Sequence, residues 1–189
     1  MKNIAIFASG SGTNAENIIK YFSNKKCGKV TLVLSNRREA YVLKRAEAYK
    51  IDHFFFDHDD FYASGKVLEL LIRYKIDFVV LAGFLWLVPE NILDKFRGRI
   101  VNIHPALLPG YGGKGMYGGK VHAEVIKNRE KESGITIHYV NSFYDEGDII
   151  FQAKCEIDPS DNAEMLASKV HALEYEHFPG VIESLILNL

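Results

Sequence analysis

Short apolar, β-prone segments alternate with segments of helical spacing along the first hundred residues of this chain. The predicted strands are residues 3–8, 30–34, 51–56, 78–81 and 100–103. The predicted helices are residues 14–22, 41–49 and 63–74, and Pro89 suits the first turn of another helix. Strands that alternate with helices in this way favour an α/β protein with a doubly wound, mainly parallel sheet.

The second half of the chain changes character. A helix is predicted over residues 121–131, followed by two strands at 135–140 and 149–157. Because only a turn-rich segment joins these strands, we expect them to form an antiparallel edge of the sheet. A long helix is predicted from about Asn162, bent or broken at Pro179-Gly180. With 189 residues and no internal repeat or linker, the chain is expected to form one domain, residues 1–189.

Charge and hydropathy exclude several classes of function. The chain has 23 Lys and Arg against 24 Asp and Glu, which gives no electrostatic reason to expect a nucleic-acid or membrane partner. The longest apolar run, residues 78–88, falls short of the roughly 20 residues that span a bilayer. Cys27 and Cys155 lie far apart in sequence, without a CxxC motif. Reduced thiols and a cytoplasmic location are therefore expected.

A glycine-containing loop, Ser9-Gly10-Ser11-Gly12-Thr13-Asn14-Ala15, leads from the first strand into the first helix. Glycines let the backbone approach an anion, and a helix start offers unpaired N–H groups. The loop lacks the Gly-Lys-Ser/Thr ending of a P-loop, so nucleoside-triphosphate hydrolysis is not indicated. We interpret it as an anion site. A tight turn in which Thr13 or Asn14 caps the helix is the alternative.

The same loop also satisfies the Gly-x-Gly-x-x-Ala pattern of dinucleotide-binding proteins. The second strand ends in Ser35-Asn36, without the acid that binds the ribose of NAD. Arg37-Arg38 could instead hold the 2′-phosphate of NADP. An NADP-binding reductase therefore stays open as an alternative function.

A second candidate site is Asn102-Ile103-His104-Pro105, at the carboxyl end of a predicted strand. Alternation along the strand places Asn102 and His104 on the same side. An amide that binds a developing oxyanion and an imidazole that transfers protons suit a reaction through a tetrahedral carbonyl adduct. A histidine with a purely structural role is the alternative.

Two loops in the second half carry further polar and flexible residues. The turn Tyr144-Asp145-Glu146-Gly147-Asp148 holds three carboxylates. It is a solvated turn, a metal site, or the source of an acid that orients His104 and raises its pKa. A metal site is disfavoured because no histidine pair lies at ligand spacing. Residues 110–119 include six glycines, which indicates a mobile or ligand-closing loop.

Taken together in this order, these stretches resemble the folate-dependent formyltransferases. The resemblance rests on Gly10-Ser-Gly-Thr-Asn14, Leu81-Ala-Gly-Phe84, Asn102-Ile-His-Pro-Ala-Leu-Leu-Pro109, Gly134-Ile-Thr-Ile-His-Tyr-Val140 and Tyr144-Asp-Glu-Gly147, and it covers essentially the whole chain. It implies a Rossmann-like formyltransferase fold. It also implies transfer of the formyl group of 10-formyltetrahydrofolate, as cosubstrate, to the amine of glycinamide ribonucleotide in purine biosynthesis. Asn102, His104 and Asp145 match the catalytic residues of the family.

The resemblance also implies which residues bind the two substrates. The positions that match the glycinamide ribonucleotide site are Gly12, Thr13, Asn14, His171 and Glu174. The positions that match the folate site are Leu85, Trp86, Leu87, Val88, Asn102, Val140, Asn141 and Phe143. Residues 1–100 would form the nucleotide half, and residues 101–189 the folate and catalytic half. The expected partners are small molecules only, with no metal, in a monomer or homodimer. Trp86 departs from the family, since many members have arginine there.

Related activities stay as alternatives. A formyltetrahydrofolate deformylase shares the Asn-His-Asp centre but carries an additional N-terminal domain. Methionyl-tRNA formyltransferase carries a further C-terminal domain and a basic tRNA-facing surface. An inactive nucleotide-binding module would be expected to lose one of the three catalytic residues, and all three are present. Chain length and charge therefore favour the transferase that acts on glycinamide ribonucleotide.

Overall fold

The protein forms one seven-stranded sheet with helices on both faces, as a computed structural model of residues 1–189 describes it. The strands are β1 (Lys2–Phe7), β2 (Gly28–Ser35), β3 (Asp52–Phe55), β4 (Phe78–Leu81), β5 (Ile100–His104), β6 (Glu132–Tyr139) and β7 (Ile149–Glu156). Their order in the sheet is β3-β2-β1-β4-β5-β6-β7. The first five strands are parallel, whereas β6 runs antiparallel to both β5 and β7. The predicted fold class is confirmed.

Seven helices connect or cover the strands. They are α1 (Thr13–Phe22), α2 (Tyr41–Ala48), α3 (His58–Tyr62), α4 (Lys66–Arg73), α5 (Glu90–Lys95), α6 (Gly119–Lys127) and α7 (Ala163–Leu187). No helix is both long enough and apolar enough to cross a membrane.

Two apolar cores flank the sheet, and alternation along the strands builds both. On β1, Ile4 and Ile6 belong to the core beneath α1, α2, α6 and α7. Ala5 and Phe7 belong to the other core, beneath α3, α4 and α5. A parallel strand covered on both faces has to be apolar at every position, which explains the unbroken apolar runs in the sequence.

The strand order reverses between β1 and β4, because β2 and β3 extend the sheet on one side and β5 on the other. In open α/β sheets the loops diverge at such a point, and the crevice between them binds ligands. The loops after β1 and β4 contact each other here, since the N–H of Ser9 donates to the carbonyl of Gly83. The fold therefore places the glycine-containing loop at the expected ligand crevice.

Several predicted helix ends are wrong, and left-handed residues explain two of them. The helix predicted over residues 63–74 begins only at Lys66, because Gly65 caps it in a left-handed conformation. A separate short helix, α3, precedes it and is capped by Asp57. The helix predicted to reach Lys131 ends at Lys127, where Arg129 adopts a positive φ. The chain then enters β6 at Glu132, three residues earlier than predicted.

The last helix is not broken. It continues for 25 residues through Pro179, although a proline inside a helix removes one backbone hydrogen bond. Leu166, Val170, Phe178 and Ile182 are fully buried along it. Burial of this face on both sides of Pro179 keeps the helix continuous across the lost hydrogen bond.

Candidate active site

A cavity of about 560 Å³ opens at the carboxyl ends of β1, β4 and β5. Its walls bring together the three stretches that the sequence singled out as candidate sites. It is lined by residues 10–14, 82–85, 102–105 and 113–119, together with His122, Tyr144, Asp145, Ala167, His171 and Glu174. Residues from both ends of the chain therefore contribute to one site.

His104 ends β5, and both nitrogens of its ring face oxygen acceptors. Nε2 lies 2.8 Å from the carbonyl oxygen of Tyr111, and Nδ1 lies 3.4 Å from Oδ2 of Asp145. A carbonyl oxygen can only accept, so Nε2 carries the hydrogen of this contact. In the uncharged ring, Nδ1 then carries a lone pair and lies beside the Asp145 carboxylate. This tautomer leaves Nδ1 able to take up a proton.

Only 3% of His104 is exposed, and this burial lowers the pKa of its ring below the ordinary value. The Asp145 carboxylate and the Tyr111 carbonyl each raise that pKa, but by less. Of the alternatives for the Tyr144–Asp148 turn, an acid that raises the pKa of His104 agrees with the effect of Asp145, although burial makes the net shift downward. His104 is uncharged at neutral pH.

Asp145 lies in the turn between β6 and β7, with a left-handed backbone at φ 58°. Burial on its own raises the pKa of its carboxyl group. Contacts with His138 and His104 and the N–H of Gly113, which donates to Oδ2 at 2.9 Å, more than offset this effect. The net pKa lies below the ordinary value, so Asp145 is ionised at neutral pH. Of the three carboxylates in this turn, Asp145 lines the cavity and neither Glu146 nor Asp148 does.

Asn102 is oriented by a histidine on the neighbouring strand. Nδ1 of His138 lies 2.8 Å from the carbonyl oxygen of Tyr139, so this nitrogen carries a hydrogen. In the uncharged ring, Nε2 of His138 then accepts from the Asn102 amide at 3.1 Å. The other contact of that amide nitrogen, to Oδ1 of Asp145, is 3.4 Å long. One amide hydrogen of Asn102 is therefore held, and the other is only weakly engaged.

Sequence reasoning did not find the contact of His138 with Asn102. The strand was predicted, and the His138 side chain was left open between the core and a pocket lining. In the β5·β6 ladder Asn102 is paired with His138 and His104 with Thr136. Antiparallel pairing places directly opposed residues on the same face. A predicted register for these two strands would have brought His138 to Asn102.

The turn that carries Asp145 depends on a close backbone approach at Gly147. A β-carbon at this position would overlap the carbonyl group of Tyr139. That segment also holds the ladder together, because the N–H of Tyr139 donates to the carbonyl of Asp148 at 2.9 Å. The Asp-x-Gly spacing of the sequence therefore reflects packing of the turn on β6.

We expect Gly147→Ala to displace this turn. The free energy of unfolding should fall by about 1–3 kcal/mol, the usual cost of overpacking, and kcat should fall with it because Asp145 moves. Urea titration and steady-state kinetics measure the two effects. Gly180→Ala is the matched control, since a β-carbon at Gly180 meets nothing within 4 Å. Unfolding of Gly147→Ala at the wild-type urea concentration would contradict the packing argument.

The glycine-containing loop forms the start of α1. Gly12 is the N-cap residue, with φ 74° and no side-chain cap. A β-carbon on Gly12 would overlap Val42, so this position requires glycine for space as well as for conformation. Neither Thr13 nor Asn14 caps the helix, contrary to the alternative considered from the sequence. The uncapped helix start faces the cavity, as an anion site requires.

Asn14 instead contacts the last helix. Its Nδ2 donates to Oε2 of Glu174 at 2.8 Å, and Nδ1 of His171 lies 2.8 Å from the same oxygen. Glu174 is only 4% exposed, so it is not an ordinary solvated helix acid. The contact with Glu174 raises the pKa of His171. All five positions predicted for the nucleotide site therefore line one wall of the cavity.

A small adjoining cavity lies on the other side of Asn102. It is lined by Leu81, Phe84, Trp86, Leu87, Val88, Asn102, His138, Val140, Phe143, Tyr144 and Asp145. Six of the eight positions predicted for the folate site are among them. Leu85 lines the large cavity instead. Asn141 lines neither, and its side chain accepts from the N–H of Phe143 at 2.9 Å.

Trp86 packs within an aromatic cluster at this small cavity. The rings of Phe56, His58, Phe61, Tyr62 and Phe84 lie with their centroids 5.7–6.5 Å from that of Trp86. No lysine or arginine side chain lines this cavity. The substitution of arginine by tryptophan therefore gives an apolar, aromatic wall.

The glycine-rich loop is attached to His104 through Tyr111 and to Asp145 through Gly113, by the contacts described above. The hydroxyl of Tyr111 donates to Glu130 at 2.6 Å, and Asn128 donates to that hydroxyl at 3.0 Å. The segment between β5 and α6 is thus held over the cavity by backbone groups on one side and by a side-chain anchor on the other.

Comparison with known proteins agrees with this geometry. Residues 2–182 match the formyl transferase family, and the chain belongs to that family. The phosphoribosylglycinamide formyltransferase of Bacillus subtilis is 34% identical over 191 residues, which cover 98% of this chain and 95% of the relative. The chloroplastic enzyme of the same name from Arabidopsis thaliana is 36% identical over 187 residues, and the chain spans 64% of its length.

Solved structures of similarly named proteins have the same fold. The phosphoribosylglycinamide formyltransferase of Bacillus halodurans superposes with a TM-score of 0.87 at 37% identity, covering 98% of this chain and 95% of that one. The protein of that name from Anaplasma phagocytophilum gives a TM-score of 0.90 at 31% identity, covering 98% of this chain and 87% of that one.

No group of three or more His, Cys, Asp or Glu side chains in the structure is arranged to hold a metal ion.

Proposed function

We propose that this protein transfers the formyl group of 10-formyltetrahydrofolate to the amine of glycinamide ribonucleotide. The observation that carries the proposal is the position of Asn102, His104 and Asp145. These residues line one end of a cavity whose other end is the uncapped start of α1. A substrate whose phosphate is bound at the start of α1 would place its amine at the acyl-transfer centre, at the opposite end of the cavity. 10-Formyltetrahydrofolate, when bound, supplies the formyl carbon that the amine attacks.

Asn102 is placed to stabilise the tetrahedral adduct. His138 holds one amide hydrogen of Asn102, and the other can donate to the oxygen of the formyl group as negative charge develops on it. The second partner of that amide, Asp145 at 3.4 Å, is distant enough to be exchanged for a substrate oxygen. His138 is thus a positioning residue, which acts through Asn102.

His104 is placed to take the proton that the attacking amine loses. The Tyr111 carbonyl holds the hydrogen on Nε2, so Nδ1 is the basic nitrogen. Once Nδ1 is protonated, the ring carries a positive charge 3.4 Å from the ionised Asp145. The carboxylate therefore stabilises the imidazolium exactly when it forms in the reaction, and His104 can return the proton to the departing folate nitrogen.

The nucleotide would lie along the wall formed by α1 and α7. The uncapped N–H groups at Gly12, Thr13 and Asn14 suit the phosphate. Glu174, buried beside Asn14, suits the ribose hydroxyls because a carboxylate accepts two hydrogen bonds. His171 holds Glu174 from the solvent side.

The folate would lie beside Trp86 and Val140, on the side of Asn102 where the small cavity opens. Its apolar and aromatic lining suits the flat ring system of the cofactor. Because Asn102 lines both cavities, it lies where the two substrates would meet. Phe84, Tyr144 and Asp145 also line both cavities, so these four residues form the boundary between the proposed donor and acceptor sites.

We expect Trp86→Ala to raise the KM for 10-formyltetrahydrofolate by about tenfold, because one large aromatic contact is lost. The KM for glycinamide ribonucleotide should stay within twofold. Steady-state kinetics with each substrate varied in turn measures both constants. Trp86→Phe is the control that keeps an aromatic ring. Equal effects on both substrates would show that Trp86 does not line the donor site.

The proposed function is tested by incubating the purified protein with 10-formyltetrahydrofolate, with and without glycinamide ribonucleotide, and following the products by mass. Formylated nucleotide and tetrahydrofolate are expected only when both substrates are present. Release of formate without the nucleotide would indicate a deformylase instead. No reaction from folded protein would overturn the proposal.

A further inference from the structure

Four buried side-chain polar atoms lack any hydrogen-bond partner in the protein, and two of them belong to residues that line the large cavity. These two are Oδ1 of Asn14 and Nδ1 of His122. A buried polar group without a partner is costly, so its presence in a folded protein calls for an explanation. Both atoms are enclosed behind the cavity wall, with almost no accessible surface, so a ligand in the cavity would contact these side chains through their other atoms.

His122 has no role in the chemistry proposed above. It lies on α6, is only 2% exposed, and lines the cavity. Its ring centroid is 6.5 Å from that of His171. Burial lowers the pKa of His122, and the nearby His171 and His104 lower it further against the opposing effect of Glu174. An uncharged imidazole offers one donor and one acceptor.

The other polar groups of the proposed nucleotide substrate already have partners. The phosphate is assigned to the start of α1, the ribose to Glu174, and the amine to His104. The group that remains is the carboxamide that joins the ribose to the amine, which has one N–H donor and one carbonyl acceptor. His122 lies among the same residues, since the charges that act on it are those of His171, Glu174 and His104.

We propose that His122 is a specificity-determining residue that hydrogen-bonds the carboxamide of glycinamide ribonucleotide. This inference rests on the proposed function, because it takes its ligand from there. Because Nδ1 has almost no accessible surface, the ring would bond the carboxamide through Nε2. It also gives the site a means of rejecting phosphorylated sugars that lack the glycinamide group, since these would leave His122 unpaired.

His122→Phe tests the proposal, because it keeps a ring of similar size and removes both nitrogens. Calorimetry measures the Kd of glycinamide ribonucleotide and of ribose 5-phosphate, which has the phosphate and sugar but no carboxamide. We expect the Kd of glycinamide ribonucleotide to rise about tenfold, as for the loss of one hydrogen bond, and that of ribose 5-phosphate to stay within twofold. The Tm should not fall, since an unpaired buried nitrogen is removed.

His53→Phe is the matched control, because His53 lies on β3 and does not line the cavity. If His122→Phe does not fold, His122→Met is measured with the same two ligands. Equal weakening of both ligands would overturn the proposal by placing the contact at the sugar or phosphate, and so would unchanged binding of both. Failure of the wild-type protein to transfer formyl groups would refute the proposed function instead, and the two results are distinguishable.

Discussion

His104→Ala is expected to lower kcat for formyl transfer by 10³-fold or more. The substitution removes the nitrogen that accepts the proton of the attacking amine, and general acid–base catalysis contributes roughly 10²–10⁴-fold in enzymes. It also removes the positive charge that would form beside Asp145 during the reaction. The KM for glycinamide ribonucleotide should change little, because the contacts proposed for its phosphate and ribose are with α1 and α7. Single-turnover assays with both substrates at saturation measure the loss.

Folding of His104→Ala has to be checked, because the ring it removes is almost completely buried. Circular dichroism and the Tm provide this check. His53→Ala is the control for loss of a histidine elsewhere, since His53 lies outside the cavity and its ring bonds the carbonyl of Ile51 through Nδ1. A folded His104→Ala protein with kcat within tenfold of the wild type would rule out a catalytic role for this residue.

Asp145→Asn is expected to lower kcat by about 10²–10³-fold and to shift the pH dependence. The carboxylate raises the pKa of His104 against the stronger effect of burial. Without that carboxylate the pKa of His104 falls further below its ordinary value. Activity requires the uncharged ring and is lost as pH falls through that pKa. The acid limb of the variant should therefore lie at lower pH than that of the wild type.

The pH dependence of kcat, measured for both proteins between about pH 5 and 8, tests this shift. Asp145 itself is not the source of the acid limb, because its own pKa lies below the ordinary value for an aspartate. A limb that moves to higher pH in Asp145→Asn, or that stays at the wild-type pH, would contradict the assignment of the limb to His104. Glu146→Gln is the matched control, since Glu146 lies in the same turn but does not line the cavity.

Much of the fold could be predicted because its determinants are local. The alternation of apolar runs with helical spacing was enough to predict the parallel sheet, and every predicted strand exists. The break before Lys66 and the end of α6 near Arg129 were missed, since both depend on left-handed residues that leave only a weak mark on the sequence. The continuity of α7 through Pro179 was missed because it depends on packing against distant elements.

In the candidate site, too, the residues that depend on local spacing could be predicted and those that depend on distant contacts could not. Asn102 and His104 share one face of a strand, so spacing alone brought them together. His138 and His122 could not be found by spacing, because their roles depend on the register of β6 against β5 and on the packing of α6 against α7. The division into a nucleotide half and a folate half stays a prediction. Two of the proposed site residues do not follow that division. Glu174, proposed for the nucleotide site, lies within residues 101–189, and Trp86, proposed for the folate site, lies within residues 1–100.

The hydrogen bond between Asn14 and Glu174 joins residues that are 160 positions apart in the chain. The wall proposed to bind the ribose consequently does not exist until α7 has docked beside α1. Contacts of such long sequence separation form late and slowly in folding. Nucleotide affinity is therefore a property of the fully assembled chain, and its recovery marks the completion of folding more strictly than the recovery of secondary structure does.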